Sequence, residues 1–411
     1  MSDDFASDVP RERSAGGRRR ALALLSLTLV LAMSPWFSAT AVLVQLRALW
    51  GFGDSLSAWL TIAVQLGFVV GALGSAVLGV ADRVPLRRLI ALSALGAALA
   101  NALVLVVQSP AQLLLARVAT GVFLAGVYPP ALKLIATWFV RGRGLALGVL
   151  IGALTVGSAL PHLINALGGA RWTLVVGWTS AATLAGAAVA AWLLREGPFP
   201  FPLVRFRLGD AGAVLRNRPV VLATLGYFGH MWELYAMWAW FATFALSSAA
   251  AGGVVRDASL LAFVVIAAGL LGCVAGGLAG DRIGRARTAS IALLVSGSCC
   301  VLAGFVHGAP TWMFLALGLV WGISVIADSA QFSALVTERG DPRYVGTALT
   351  LQLGLGFLLT AATIWIVPLF ATLLGSWQWV FLVLLPGPLL GVLALWPLAR
   401  AEAAAARGMH G

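Results

Sequence analysis

Long apolar stretches alternate with short polar ones from one end of the chain to the other. Twelve stretches reach roughly the 20 mostly apolar residues that a helix needs to cross a hydrocarbon core. They are 21–46, 56–81, 89–107, 111–138, 144–166 and 172–194, then 220–246, 258–280, 288–307, 311–336, 346–374 and 377–399. The one long polar connection, 195–219, carries Pro198, Pro200, Pro202 and five arginines. The pattern predicts an all-α integral membrane protein: a tail 1–20, six helices in 21–194, the connection 195–219, six more helices in 220–399, and a tail 400–411. Glycines recur within the spans at helical spacing, as at Gly67/Gly71, Gly148/Gly152 and Gly269/Gly272/Gly276/Gly280. Small residues so placed let helices approach closely where packing, not hydrophobic contrast, holds them together.

Composition removes the soluble alternative. The 411 residues are 61% hydrophobic and 10% charged, too little charge to keep such a surface in water. The formal charge of +12 raises the question of nucleic acid, and the positions of the cations answer it. Of the 27 Lys and Arg, 22 fall in the two tails and in alternate loops: Arg11 to Arg20, Arg83/Arg87/Arg88, Arg141/Arg143, Arg195 to Arg218, Arg282/Arg285/Arg287, Arg339/Arg343 and Arg400/Arg407. The opposite loops hold Arg47, Arg171 and Arg256. This asymmetry puts both termini in the cytoplasm of a multi-pass inner-membrane protein and leaves no basic stripe for DNA or RNA. Membrane lipids are the partners such loops meet. The N-terminal segment has no small-residue cleavage pattern and reads as a cytoplasmic tail. Cys273, Cys299 and Cys300 all lie inside spans and read as small packing residues.

One motif occurs twice. After the eighth span the chain reads Gly277-Leu-Ala-Gly-Asp281-Arg282-Ile-Gly284-Arg285-Ala-Arg287. After the second it reads Gly79-Val-Ala-Asp82-Arg83-Val-Pro85-Leu-Arg87-Arg88. The pattern G-x-x-x-D-R-x-G-R-x-R between the second and third helices of a six-helix unit resembles the signature loop of the major facilitator superfamily. The C-terminal copy matches it fully. In the N-terminal copy the first glycine is one position late and Pro85 replaces the turn glycine, which predicts a stiffer loop. Arg117-Val-Ala-Thr-Gly121 and Trp138-Phe139 with Arg143-Gly144-Leu-Ala-Leu-Gly148 are similar to segments of bacterial metabolite and anion porters, including nitrate- and cyanate-permease-like proteins. Gly142 stands where their usual acid would be. The Gly-Pro motif of drug antiporters is absent from the fifth span, which reads Gly157-Ser158-Ala-Leu-Pro161-His162.

The resemblance implies two pseudo-symmetric six-helix bundles and a cytoplasmic gate. Asp82, Arg83 and Arg87 would latch one half to the other, and Asp281, Arg282, Gly284 and Arg285 would do the mirror job, with Arg141 in the facing loop. An aspartate can cap a neighbouring helix N-terminus, and arginines can pair with acids across the bundle.

Ionisable side chains inside spans come first among candidates for transport, because a mid-membrane charge normally faces a cavity or a partner. Arg117, Lys133, Glu233 and Asp328 are such residues, joined by His162 and His230. Glu233 shares a helical face with Gly226, Gly229, His230, Met237 and Trp240. A carboxyl whose exposure to water alternates binds and releases a proton as it does so. The tryptophan run adds Trp232, Trp238 and Trp240 as in-span candidates, with one or two of them, Trp232 and Trp240 first, lining the cavity. Ser324, Asp328 and Gln331 form a polar stripe on the tenth span. His162 and Asn165 lie toward the outer end of the fifth, Gln352 in the eleventh and Lys133 near the cytoplasmic end of the fourth.

These readings converge on a secondary transporter that moves a small polar or anionic solute by alternating access, coupled to protons. The alternative is a proton-driven efflux antiporter for a hydrophobic compound. A non-transporting sensor and an intramembrane enzyme rank lower: the polar residues are dispersed over many helices, not gathered as in H-E-x-x-H. No G-x-x-x-x-G-K-[ST] loop is present to bind ATP. No cofactor or metal is expected, and the expected unit is a monomer.

Overall fold

The computed structural model describes residues 11–139, 142–168, 171–199, 207–253 and 257–408, and their regular structure is helical throughout. The first group of helices comprises α1 (Arg11–Ala32), α2 (Leu43–Trp50), α3 (Asp54–Leu78), the single turn α4 (Val80–Arg83), α5 (Leu86–Ala102), α6 (Pro110–Leu124), α7 (Tyr128–Ala136), α8 (Arg143–Leu167) and α9 (Trp172–Trp192). The second comprises the short α10 (Ala211–Arg216), then α11 (Arg218–Ala250), α12 (Ala258–Ala267), α13 (Gly269–Ile283), α14 (Arg285–Val306), α15 (Thr311–Ala327), α16 (Ser329–Arg339), α17 (Val345–Leu374) and α18 (Pro386–Gly408). Ten helical stretches among the described residues are long and apolar enough to cross a membrane. Two expected spans stand apart from these ten. α1 is cut short at Ala32, and α11 carries His230 and Glu233 among its aromatic residues.

Helix starts follow local chemistry. Ser109 Oγ accepts from Gln112 N at the head of α6, with Pro110 at the first helical position. Asn217 caps α11 and Asp257 caps α12 in the same way. Helix ends depart from the hydropathy pattern. Both expected tails are partly helical, from Arg11 at one end and through Gly408 at the other, because the Arg- and Ala-rich sequences there favour helix without being apolar.

Several expected spans are broken. The first, expected to run unbroken over 21–46, stops at Ala32, passes through turns over 33–39 and resumes as a 3-10 turn, Thr40–Val42. Pro35 supplies no N–H, and it disfavours helix at Ser34. The fourth is interrupted over 125–127, one turn before the Pro129-Pro130 pair. The tenth is offset by one residue, Asp328.

Within each group the helices pack mainly on one another, as α3 on α6, α5 on α9, α11 on α18 and α14 on α18. The α3–α6 contact is close because Gly67 lies against the backbone of Val118, and Gly121 against that of Val64. Two seams join the groups. In one, α3 meets α17, with Phe68 and Phe357 ring centroids 4.4 Å apart. In the other, α8 meets α12 and α13. A Cβ added at Gly148 of α8 would stand 2.6 Å from the Cys273 carbonyl, so only glycine lets these backbones touch.

Candidate functional site

Arg117 is fully buried in α6 and faces the interrupted first span. Its Nη2 donates to the Pro35 and Trp36 carbonyls at 2.9 and 2.6 Å. Nη1 donates to Ser38 Oγ and Asn101 Oδ1, both at 3.0 Å, and Nε to the Leu60 carbonyl at 3.4 Å. Every N–H of the guanidinium is therefore used on a neutral acceptor of its own half. The carbonyls freed by the helix break find their donors there. In this arrangement Arg117 serves the fold of its own half. Lys133 is likewise engaged, with Asp82 and the Ala81 carbonyl.

The second half holds acids instead. Glu233, fully buried on α11, accepts from Trp321 Nε1 at 2.6 Å, Ser296 Oγ at 2.8 Å and Cys300 Sγ at 3.4 Å. Three neutral donors from α14 and α15 thus surround the carboxyl. One turn earlier on α11, His230 Nδ1 stands 2.8 Å from Asp328 Oδ1, an ion-pair distance with both side chains buried. The imidazole also lies against the Tyr227 and Phe332 rings. Trp321 and Asp328 are two helical turns apart, so α11 and the broken tenth span face each other through two stacked polar contacts.

Aromatic side chains fill the centre between the halves. Trp36 from the break, Phe68 from α3, Tyr235 and Trp238 from α11 and Phe357 from α17 are all buried. Trp36 lies 5.1 Å from Phe68, 5.6 Å from Tyr235 and 5.7 Å from Phe357, and Tyr235 lies 5.5 Å from Trp238. Tyr128, at the head of α7, is close enough to Tyr227 and Tyr235 for the phenols to interact electrostatically. Several buried polar atoms in these helices have no hydrogen-bond partner: both amide atoms of Gln65, Gln352 Nε2, both ring nitrogens of His162, and the indole nitrogens of Trp36 and Trp238.

The remaining expected pathway residues serve elsewhere. Trp232 Nε1 donates to the Val383 carbonyl at 3.0 Å, and Trp240 Nε1 to the Ile364 carbonyl at 2.9 Å, so both fasten α11 to helices of its own half. The indole at the centre is Trp238. Gln331 belongs with the loops, where it donates to the Gly276 carbonyl and accepts from Arg285. Asn165 bridges the halves at the opposite end, donating to the Ala41 carbonyl at 2.9 Å and to Ser259 Oγ at 2.8 Å.

At the signature loops the halves differ. Asp82 pairs with Lys133 of its own half. Asp281 holds Arg285 at 2.6 Å, and its carboxylate lies 3.2 Å from where a Cβ on Gly144 would be, against the first turn of α8 in the other half. Gly284 turns the chain at φ +98°, and Glu402 lies where its side chain would be. Arg141 lies outside the described residues.

Two glutamates went unnoticed in the sequence. Glu402 accepts from Ala286 N and Arg287 N at the start of α14, and Glu196 accepts from Arg87 N at the start of α5. Each follows the sixth span of its half and caps the third helix behind the signature loop. Their matching places in the repeat were the available signal. Ser38 and Asn101 beside Arg117, and Trp321, Ser296 and Cys300 beside Glu233, gave none, since each reads singly as an ordinary span residue.

Comparison with known proteins agrees with this architecture. The human organic anion transporter MFSD10 (TETRAN) matches with a TM-score of 0.65 at 17% identity, over 92% of this chain and 99% of that one. The puromycin resistance protein pur8 of Streptomyces alboniger is 39% identical over 118 residues, 28% of this chain and 22% of its own length. The MFS transporter asaE of Aspergillus flavus is 25% identical over 244 residues, 57% of this chain and 53% of its own. The chain thus spans about a fifth and about half of the lengths of these two curated relatives. The profile of the Major Facilitator Superfamily matches residues 24–256, more than half of the chain. With two helix groups meeting along two seams and buried polar residues between and beside them, the chain belongs to the Major Facilitator Superfamily, a family of multi-pass membrane transporters and not of enzymes.

Proposed function

We propose that the two groups of helices, 21–194 and 220–399, rock against each other in the inner membrane with both termini cytoplasmic, and that proton binding in the second half drives the motion. The observation that carries this is the facing pair of contacts between α11 and the tenth span, Glu233 with Trp321 and His230 with Asp328. Both carboxyls sit among neutral donors or beside an imidazole, so each contact exists in two protonation states with different hydrogen bonding. A change at either one alters how α11 sits on the helix carrying Trp321 and Asp328. Because α11 also supplies Tyr235 and Trp238 to the centre, the proton sites and the aromatic cluster share one rigid element.

The cargo on this reading is a small organic solute. An anionic cargo rested on Arg117 and on the resemblance to metabolite and anion porters, and Arg117, like Lys133, is engaged within its own half. The name of the Streptomyces relative, a puromycin resistance protein, supports an organic compound as the cargo.

Spin labels test the coupling without a known cargo. One pair, at Leu145 and Leu278, reports the loop end of the α8–α13 seam, and another, at Leu167 and Leu260, reports the Asn165–Ser259 end. In lipid nanodiscs between pH 5 and 8, the two distances are expected to change in opposite senses, and Glu233→Gln is expected to remove the response. Distances that ignore pH in the wild type would end the proposal.

A further inference from the structure

We propose that the cargo is uncharged and presents a flat ring face with one or two hydrogen-bonding groups at its edge. This rests on the transporter reading above and names the substrate class of the same central site. The first argument comes from charge. Among the described residues of the spans, Arg117 spends every N–H on neutral acceptors, Lys133 is joined to Asp82, Glu233 accepts three donors and Asp328 stands against His230. A charged solute entering the centre would have to break one of these sets or remain without a counter-charge in a dry interior, and both are unfavourable.

The second argument comes from what the centre offers. Trp36, Phe68, Tyr235, Trp238 and Phe357 present ring faces from both halves and from the break in the first span. Offset and edge-on ring arrangements are favourable, and the tilts of 21° to 63° around Trp36 and Tyr235 leave several such arrangements available. The hydrogen-bonding capacity around them is neutral and unspent. The indole nitrogens of Trp36 and Trp238 and the Gln352 amide nitrogen have no acceptor, and the Gln65 amide has neither donor nor acceptor. Gln65 lies one turn from Phe68 on α3, so its amide shares that face. Gln352 lies one turn before Gly356, which abuts the Tyr227 ring. Buried groups of this kind reject a solute that cannot pair with them, so they set specificity as well as affinity.

Three probes built on one ring separate the charge classes: 2-naphthol, 2-naphthoate and 2-naphthylmethylamine, at pH 7. Retention is measured by equilibrium dialysis against the full chain in nanodiscs, with empty nanodiscs subtracted. We expect saturable retention of naphthol at least about tenfold tighter than of either charged probe, and its loss in Tyr235→Ala. Gln65→Glu is expected to raise retention of the ammonium probe by about tenfold, with naphthoate still excluded. Should Gln65→Glu fail to fold, Gln352→Glu places the same charge from the other half. Tighter binding of naphthoate or of the ammonium probe, no saturable binding of any probe, or no response to Gln65→Glu and Gln352→Glu would each overturn the proposal. Loss of the pH-driven label response with naphthol selectivity intact would instead sink the coupling reading alone.

Discussion

The two halves bury charge in opposite ways. In the first, one cation is surrounded by backbone carbonyls and neutral side chains, and its role is to hold a broken helix in place. In the second, two carboxyls sit against an indole, a hydroxyl, a thiol and an imidazole, all on helices that pack as intact cylinders or are offset by one residue. An arginine keeps its proton in a protein, so the first arrangement has a single charge state. A carboxyl can gain or lose one, and the proposed coupling rests on that. The difference teaches that one half uses its buried charge as a frame for a broken helix, while the other holds the acids on which the proposed coupling depends.

The sharpest way to break that comparison is Arg117→Leu. It removes the hydrogen bonds that the Pro35, Trp36 and Leu60 carbonyls, Ser38 and Asn101 accept from the guanidinium, and we expect a loss of about 3–5 kcal/mol, seen as aggregation in size-exclusion chromatography. Arg117→Lys should recover only part of the loss, since an ammonium cannot reproduce the planar fork. A stable Arg117→Leu protein would remove the frame reading. Gly148→Leu acts on the seam both halves share, where the Cys273 carbonyl leaves no room. It should destabilise the closed seam by about 1–3 kcal/mol and lengthen the Leu145–Leu278 label distance. Glu233→Gln should change the melting free energy by no more than about 1 kcal/mol, because the amide oxygen still accepts from Trp321 and the amide nitrogen can donate to Ser296 Oγ, whose own proton has the Leu293 carbonyl, while abolishing the pH response. If it unfolds the protein, Glu233 belongs to the frame.

Smaller effects sharpen the contrast between the loops. Asp281→Asn weakens a contact that crosses to the first turn of α8, a loss of about 0.3–1 kcal/mol, and should widen the Leu145–Leu278 distance more than Asp82→Asn, whose carboxylate is paired within its own half. The smallest effect lies outside the spans. Hydrogen bonds from Arg343 hold the Asp341 carboxyl down to about 2. With its folded value below the ordinary 3.8, its contribution is present above that pH and is lost as pH falls toward 2. A transition below about pH 4 that vanishes in Asp341→Asn therefore marks this loop and separates it from the response near neutrality.

The architecture was legible because bilayer length and the arginine distribution act on long windows of sequence. Glu233 and Asp328 were legible as buried acids, since any charge in a span needs a reason. What surrounds them was not, because hydrogen-bond partners such as Trp321 and Ser296 come from helices distant in the chain. The tryptophan run shows the limit most clearly. Trp232, Trp238 and Trp240 are alike in sequence, yet two fasten α11 to neighbours in its own half and one reaches the centre, a division set by which carbonyl lies opposite each indole. The partners of Arg117 were hidden for a related reason. Its acceptors exist only because the first span is broken at Pro35, and a hydropathy window reads straight across that break.

The break also has a consequence for how the chain is made. Pro35 is synthesised 82 residues before Arg117, so the first span leaves the ribosome before the guanidinium that its carbonyls accept from exists. Lipid offers such carbonyls no donor. The break therefore gains its full set of hydrogen bonds only once the fourth span is in place, which ties the packing of the first span to the arrival of a later one.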